Sequence, residues 1–380
     1  MCSDAQGAFL LPVFRLSHAK GFGRVQGKGR AFFCIGIPRR RSASGGNVVK
    51  DRENPCRVLR SLTRILYIVG ITLASCLCLG GEKVPAKPFI KWAGGKGQLL
   101  EQLSALLPKD IKDRQGLVYV EPFVGGGAML FYMLSNYTNI THAIVNDLNG
   151  DLVKTYKAIR DCPDELIREL SKMQKAFYAC HTEDERKQLF LSKRERYNTR
   201  NAGDIETAAL FIFLNRTCFN GLYRVNSKGL YNVPFGKAEK PLICDEETIR
   251  ADSKLLQKVE ILNGDFEDVG KRVKGRAFYY FDPPYRPLTQ TASFTAYSKE
   301  GFGDDQQKRL ADFCRQLDKD GHQWLLSNSD PHNTNPNDMF FEKIFKGFDI
   351  HRVSASRMIN SRSDGRGKIT ELAIRNYQEK

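Results

Sequence analysis

Residues 117–134 read L-V-Y-V-E-P-F-V-G-G-G-A-M-L-F-Y-M-L. The opening run is apolar without polar alternation, the pattern of a strand buried on both faces. Gly125, Gly126 and Gly127 follow it, and an apolar helix continues to Leu134. A buried strand feeding a glycine turn and then a helix begins a nucleotide-binding α/β sheet, with the glycines letting the backbone bend under a ligand at the strand's carboxyl end. A three-glycine loop alone is a weak signal, and its weight comes from an acid about twenty residues on. His142–Asn149 reads H-A-I-V-N-D-L-N, a second strand ending in Asp147, placed to accept hydrogen bonds from ribose hydroxyls. Asp147 as the cap of a helix starting near Asn149 is the structural alternative.

Upstream, Pro88–Leu100 reads P-F-I-K-W-A-G-G-K-G-Q-L-L, a short strand-like piece meeting Gly94-Gly95 and then a helix over Leu99–Leu107. Trp92 offers a flat surface for an adenine ring and Lys96 a charge for a carboxylate. An ordinary glycine turn with a core Trp reads equally well. Downstream, Phe278–Tyr285 reads F-Y-Y-F-D-P-P-Y, a hydrophobic strand stopped by two prolines. Two prolines cannot continue a central strand, so the chain turns outward at the sheet's carboxyl edge and presents Asp282 and Tyr285 to the ligand crevice.

These residue types suit alkylation of an aromatic amine. The lone pair of a purine's exocyclic nitrogen is delocalised into the ring, which makes it a poor nucleophile. Hydrogen bonds from its N–H groups to the Asp282 carboxylate and the Pro283 carbonyl favour a pyramidal nitrogen and free the lone pair for a sulfonium methyl. Tyr285 stacks on an extruded base, Pro284 completes the turn, and the chemistry requires no metal.

About a hundred residues between Asp151 and Val259 show no repeated strand–helix pattern, too many for a loop inside a compact domain, and are expected to form a separate module. Leu166–Arg200 is charged and amphipathic, hence helical, with Arg194, Arg196 and Arg200 near its end. In Phe211–Gly236, the turn signals Asn220-Gly221 and Lys228-Gly229 predict a hairpin of Leu222–Val225 with Leu230–Val233. A two-stranded ribbon fits a major groove, where Arg224 can donate two hydrogen bonds to a guanine edge and Phe219 can act as a wedge beside a flipped base. A surface hairpin with an exposed Arg is the plainer reading. Further on, Gln323–Ser329 and His351–Ala355 read as strands, Glu371–Asn376 is expected to close the sheet's edge, and Ser361–Lys368 reads as a mobile basic loop over DNA or cofactor, or simply as a solvated loop.

The chain of 380 residues carries a net charge of +16, which points to a polyanionic partner. The distribution tempers this, because 14 Lys and Arg and only 4 Asp and Glu precede Val84, about +10 of the total. A nucleic-acid groove therefore has to be argued from motifs. Half of the ten cysteines also precede Val84, and no C-x-x-C pair or Cys/His cluster follows Gly81, the usage of a reduced cytoplasmic protein without structural zinc, in which thiols such as Cys314 simply pack. Residues 1–83 hold no sustained period. Ile65–Gly80 is apolar behind Arg57, Arg60 and Arg64, and Leu73-Ala74-Ser75-Cys76 is similar to a lipoprotein cleavage site. The segment reads as an anchor, as a disordered accessory arm, or as upstream sequence ahead of a true start near Val84; the last is favoured, and no stable membrane partner is expected.

The order K-W-A-G-G-K, E-P-F-V-G-G-G, N-D-L-N and D-P-P-Y resembles the Dam-type DNA adenine-N6 methyltransferases (D12 class, alpha group), restriction-system methylases included. The match runs from about Phe89 to the last residues. The resemblance implies a Rossmann-like S-adenosylmethionine-dependent methyltransferase sheet with an inserted helical DNA-recognition domain: catalytic parts at 84–150 and 255–380, target recognition at 151–254. It places the cofactor on Trp92, Lys96, Asp147 and Asp282, with Glu121, Phe123, Gly125 and Gly127 from the glycine loop. Asn263-Gly264-Asp265-Phe266 resembles the segment that cradles the cofactor's adenine. The family's hairpin reads G-A-T-C, which assigns contacts with double-stranded DNA to Phe219, Asn220, Leu222, Arg224 and Pro234. Lys237-Ala238 departs from the family, where an Arg and an aromatic can stand, so a phosphate contact from Lys237 is expected to be weaker. The family further implies a monomer, with a cognate restriction endonuclease as a partner in function only.

Two other classes remain open at this level. One is an amino-methyltransferase for cytosine N4, ribosomal RNA or a protein glutamine; cytosine enzymes more often carry Ser before Pro-Pro-Tyr, and the RNA and protein enzymes lack the Trp-Gly-Gly-Lys start and the long insert. The other is a DNA-binding protein without catalysis, or one anchored at a membrane through Ile65–Gly80.

Overall fold

A computed structural model describes residues 85–286, 302–356 and 368–378, and Gly81–Lys380 clusters as one compact unit. The first strand, β1, is Leu117–Glu121, and four further strands run parallel in its sheet: β2 (Ile140–Asp147), β3 (Val259–Asn263), β4 (Ala277–Phe281) and β5 (Gln323–Ser329). The last two, β6 (Asp349–Ser356) and β7 (Lys368–Arg375), are antiparallel, and the lateral order is β3-β2-β1-β4-β5-β7-β6. Every residue of β4 is buried, because helices cover both faces of the sheet. Successive side chains therefore feed different cores: Tyr119, Phe278 and Tyr280 enter one, Val120, Tyr279 and Phe281 the other. Chain order reverses between β1 and β4, and the crevice beyond their carboxyl ends is where such sheets bind ligands.

The helices are α1 (Leu100–Ala105), α2 (Ala128–Asn136), α3 (Gly150–Asp161), α4 (Pro163–Tyr178), α5 (Glu183–Asn198), α6 (Asp204–Thr217), α7 (Glu246–Leu256), α8 (Asp304–Lys319) and α9 (Phe340–Ile344). The predicted helix over Leu99–Leu107 is shorter: a 3-10 turn, Lys96–Gln98, leads into α1. Between β2 and β3 lie α3 to α7. Helix α6 is buried from Thr207 to Leu214 on every side, as α3, α4 and α5 all pack against it. Helix α5 begins with a capping box in which the Thr182 hydroxyl accepts from the Glu185 N–H and the Glu185 carboxylate accepts from the Thr182 N–H. Helix α3 rests on the sheet as well, with the Arg160 guanidinium donating to the Val259 carbonyl at 2.9 Å.

Two expectations need correcting. Leu222–Val225 and Leu230–Val233 form no strands; Cys218 with Phe235 and Val225 with Tyr231 make isolated bridges instead. Around the second bridge Asn226 donates to the Leu230 carbonyl at 2.9 Å and Asn232 to the Arg224 carbonyl at 3.1 Å, a pairing too short to make strands, while the Leu230 N–H that would return the first bond donates to the Asn226 amide oxygen at 3.1 Å. The final strand, in turn, does not close the edge. It lies between β5 and β6, with Leu372, Ala373 and Ile374 fully buried, while polar β6 takes the edge. Residues 1–84 and 357–367 lie outside the described residues, and with them the apolar run Ile65–Gly80 and most of the basic loop. Among the described residues, no helix is long and apolar enough to cross a membrane, no group of three or more His, Cys, Asp or Glu is arranged for a metal, and five cysteines are unpaired.

Candidate active site

The glycine turn sits at the carboxyl end of β1. Gly125 has φ +48°, and a Cβ there would lie 2.9 Å from Trp92 Cδ1, so the Trp92 indole closes directly on the loop. The Gly125 N–H donates to Asp147 Oδ2 at 3.0 Å, the Asn149 N–H donates to Oδ1 at 2.8 Å, and the Tyr156 hydroxyl donates to the Gly125 carbonyl at 3.0 Å. The capping alternative for Asp147 fails, because Asn149 caps α3 by accepting from Asp151 and Leu152. Burial raises the Asp147 carboxyl, and the backbone N–H groups of Asn149 and Gly125 draw it back. Asn146 staples the neighbouring strand ends, donating to the Pro122 carbonyl at 3.1 Å and the Gly264 carbonyl at 3.0 Å.

Across the crevice, Asp282 follows the last residue of β4. Its Oδ1 lies 2.7 Å from the ammonium of Lys96, a residue only 4% exposed. That ammonium also donates to the Gly94 carbonyl at 2.9 Å and sits 4.5 Å above the centre of the Tyr285 ring. Burial pushes the Asp282 carboxyl up, the Lys96 charge pulls it down, and Glu371 on β7 pushes it up again. The Tyr285 hydroxyl donates to Glu371, and Gln307 on α8 donates to the Pro284 carbonyl at 3.1 Å, so the turn after β4 is held from two sides. Glu121 is buried, accepts from the Tyr119 hydroxyl at 2.7 Å, and has its carboxyl held well above the usual range by burial, with the Asp282 charge adding to the rise. Glu371 and Gln307 escaped the sequence reading, since neither belongs to a motif and both reach the site through tertiary packing.

The aromatic end of the crevice joins Phe123 after β1 to Phe266 after β3, with ring centres 5.3 Å apart. Arg309 lies 4.6 Å above the Phe266 ring and grips the Asp265 carboxylate through both nitrogens, at 2.8 and 2.5 Å. Asp265 is therefore engaged with Arg309, a partner no motif announced.

On the insert, Phe219 is 51% and Leu222 36% exposed, and Asn220 takes a left-handed conformation, φ 55°, that lets the chain reverse there. Arg224 is exposed; its Nε donates to the Asn232 amide oxygen at 2.8 Å, and Pro234 accepts from the Phe219 N–H at 2.9 Å. Lys237 pairs with Glu183 at 3.0 Å. The arginines near the end of α5 serve local structure: Arg196 binds Glu206, and Arg200 binds Asp151 and the Gly229 carbonyl. Tyr223, next to Arg224, stacks on Trp92 with ring centres 5.8 Å apart, linking this loop to the glycine turn.

The chain's similarity to known proteins agrees with this arrangement. It is 48% identical over 294 residues to the Type II methyltransferase M.MjaIII of Methanocaldococcus jannaschii, an alignment spanning 77% of this chain and 99% of that one. It is 37% identical to the Type II methyltransferase M1.LlaDCHI of Lactococcus lactis subsp. cremoris, over 78% of this chain and 97% of the relative. With the DNA adenine methylase of Escherichia coli K12 the identity is 32%, over 75% and 94% of the two chains. Residues 92–359, from the Trp beside the glycine turn to beyond β6, match the family description, and the chain belongs to the D12 class N6 adenine-specific DNA methyltransferases.

Proposed function

We propose that the protein methylates N6 of an adenine flipped out of double-stranded DNA, with S-adenosylmethionine as methyl donor and G-A-T-C as the target sequence. The observation that carries this reading is the Asp282 carboxylate at the carboxyl end of β4, paired with Lys96 and flanked by Tyr285 at the strand-order reversal.

The residues fit the cofactor. The Gly125 backbone has no room for a side chain, Asp147 retains acceptor capacity toward a ribose, Phe123 and Phe266 provide aromatic edges, and Trp92 and Lys96 close the loop side. Glu121 and Gly127 shape the loop from beneath. When bound, the cofactor supplies an electrophilic sulfonium methyl. Asp282 and the Pro283 carbonyl accept hydrogen bonds from the adenine amine and localise its lone pair, Tyr285 stacks on the base, and the Pro283-Pro284 turn keeps the strand from extending across the crevice. The Lys96 ammonium lowers the Asp282 carboxyl against the rise that its burial causes.

Residues 151–254 act as the target-recognition part, with catalysis by 84–150 and 255–380. Arg224 reads a guanine edge, Phe219 and Leu222 hold the gap left by the base, Asn220 and Pro234 shape the turn, and Lys237 meets a phosphate. The exposure of Phe219 supports its role, since an aromatic half open to solvent on a tight turn covers no core of its own. The protein works as a cytoplasmic monomer. The Type II names of two relatives support a cognate endonuclease as a partner in function.

The test incubates the protein with labelled cofactor and duplexes with and without G-A-T-C and maps the methylated bases. Methyl-adenine confined to G-A-T-C is expected, with duplex binding but no transfer by Asp282→Ala. Label on cytosine overturns the reaction assignment, and label on adenines in other sequences overturns the target.

A further inference from the structure

We propose that Asn215 is a positioning residue that clasps the DNA-reading turn to the cofactor-holding strap and so makes the two ligands bind cooperatively; this rests on the site assignments proposed above. Asn215 lies near the end of α6 and is 4% exposed. Its amide oxygen accepts from the Lys91 N–H at 2.9 Å, and its amide nitrogen donates to the Lys91 carbonyl and the Gly221 carbonyl, both at 2.8 Å. Three of the four hydrogen bonds an Asn side chain commonly makes are thus used to join two loops distant in sequence. A buried, late-helix position asks for an apolar residue, and Asn is among the weaker helix formers there, so the helix itself does not require the amide.

What the clasp joins gives it its role. Lys91 is followed by Trp92, which closes on Gly125 and stacks on Tyr223. Gly221 ends the turn begun by Phe219; its φ is +66°, and a Cβ there would lie 2.6 Å from Lys91 Cβ, so the turn is seated against the strap without space between them. Arg216, the next residue on α6, donates to the Phe89 carbonyl at 2.6 Å and anchors the strap on its other side. A ligand that orders one loop therefore orders the other in advance, and by linkage each ligand tightens the binding of the other by the same factor.

The experiment titrates a fluorescent G-A-T-C duplex into the full-length protein with and without saturating S-adenosylhomocysteine, and S-adenosylhomocysteine with and without duplex. Wild type is expected to show roughly tenfold mutual tightening. Asn215→Asp keeps the acceptor for the Lys91 N–H but sets carboxylate oxygen against both carbonyls. Its tightening is expected to fall below about twofold, with each ligand alone bound within about threefold of wild type. Gly221→Ala attacks the same joint from the opposite side and decides the matter if thermal melting shows Asn215→Asp to be unfolded. Wild-type coupling in both variants, no coupling in wild type, or loss of one ligand's affinity with coupling intact each overturns the clasp. Unchanged single-ligand affinities in Trp92→Ala or Arg224→Ala would instead remove the loop assignments on which it rests.

Discussion

Replacing Lys96 with Met removes the charge facing Asp282 while keeping most of the side chain's bulk. Opposite unit charges about 4 Å apart attract by about 4 kcal/mol at the effective dielectric of a protein site. The Lys96–Asp282 contact is closer, 2.7 Å, but Asp282 is 22% exposed, and solvent screening takes back a share. Retaining about half leaves roughly 2 kcal/mol in favour of the ionised carboxylate. The sign follows from the ionised form being the amine's acceptor. Burial raises the carboxyl, Lys96 holds it down, and removing Lys96 lets it rise, so activity is lost at a higher pH. The assay is kcat/KM for the duplex from about pH 5 to 9 at saturating cofactor. A separate cofactor KM isolates any loss of carboxylate binding. The acidic limb of Lys96→Met is expected above that of wild type, with kcat/KM lower by roughly 30-fold at a pH on the acidic side of both limbs. Superimposable limbs would refute the electrostatic role given to Lys96, whatever the fall in rate.

Glu371→Gln should move that limb the other way, because Glu371 raises the Asp282 carboxyl; an upward shift would contradict this. Gly125→Ala forces a side chain into a left-handed backbone and against Trp92, and should cost about 1–3 kcal/mol in denaturant unfolding together with cofactor affinity. A variant of wild-type stability would show that the loop is not held as described. Asp252 is fully buried, with its carboxyl pushed up to about 8 by burial and one oxygen unpaired. Its folded-state carboxyl lies above the unfolded one, so it costs stability increasingly from about pH 4 to pH 8. Asp252→Asn should melt higher than wild type at pH 8 but not at pH 4, and equal differences at both would exclude the mechanism. Arg224→Ala should cut the preference for G-A-T-C over a duplex altered at the guanine by about tenfold or more, measured by competition; an unchanged ratio removes Arg224 from sequence reading.

What the sequence disclosed was whatever is encoded locally. The apolar run before Gly125, the acid at Asp147 and the two prolines after Asp282 each dictate a backbone course, and all lie at the carboxyl ends of adjacent strands. Lateral strand order is not local: the residues around Glu371 read as an edge because nothing in their own pattern places β6 outside them. The expected hairpin is reduced to one antiparallel bridge, because the Leu230 N–H turns to the Asn226 side chain and the pairing does not extend into strands. Glu371, Arg309 and Asn215 were not singled out because each acts on a residue tens of positions away, where spacing carries no signal.

The placement of β7 bears on how the protein is made. The strand that fills the gap between β5 and β6 leaves the ribosome after every other strand of the sheet, and Tyr377, just beyond it, donates to the Leu106 carbonyl at 3.0 Å, 271 residues back along the chain. Until β7 emerges, β5 offers an unpaired edge and β6 has no neighbour to hold it. The nascent enzyme therefore passes through a long interval with an open sheet flank, prone to pairing with other chains and slow to close because the joining contacts are so remote in sequence. Loss of Lys368–Arg375, far from every motif, would leave that flank permanently open.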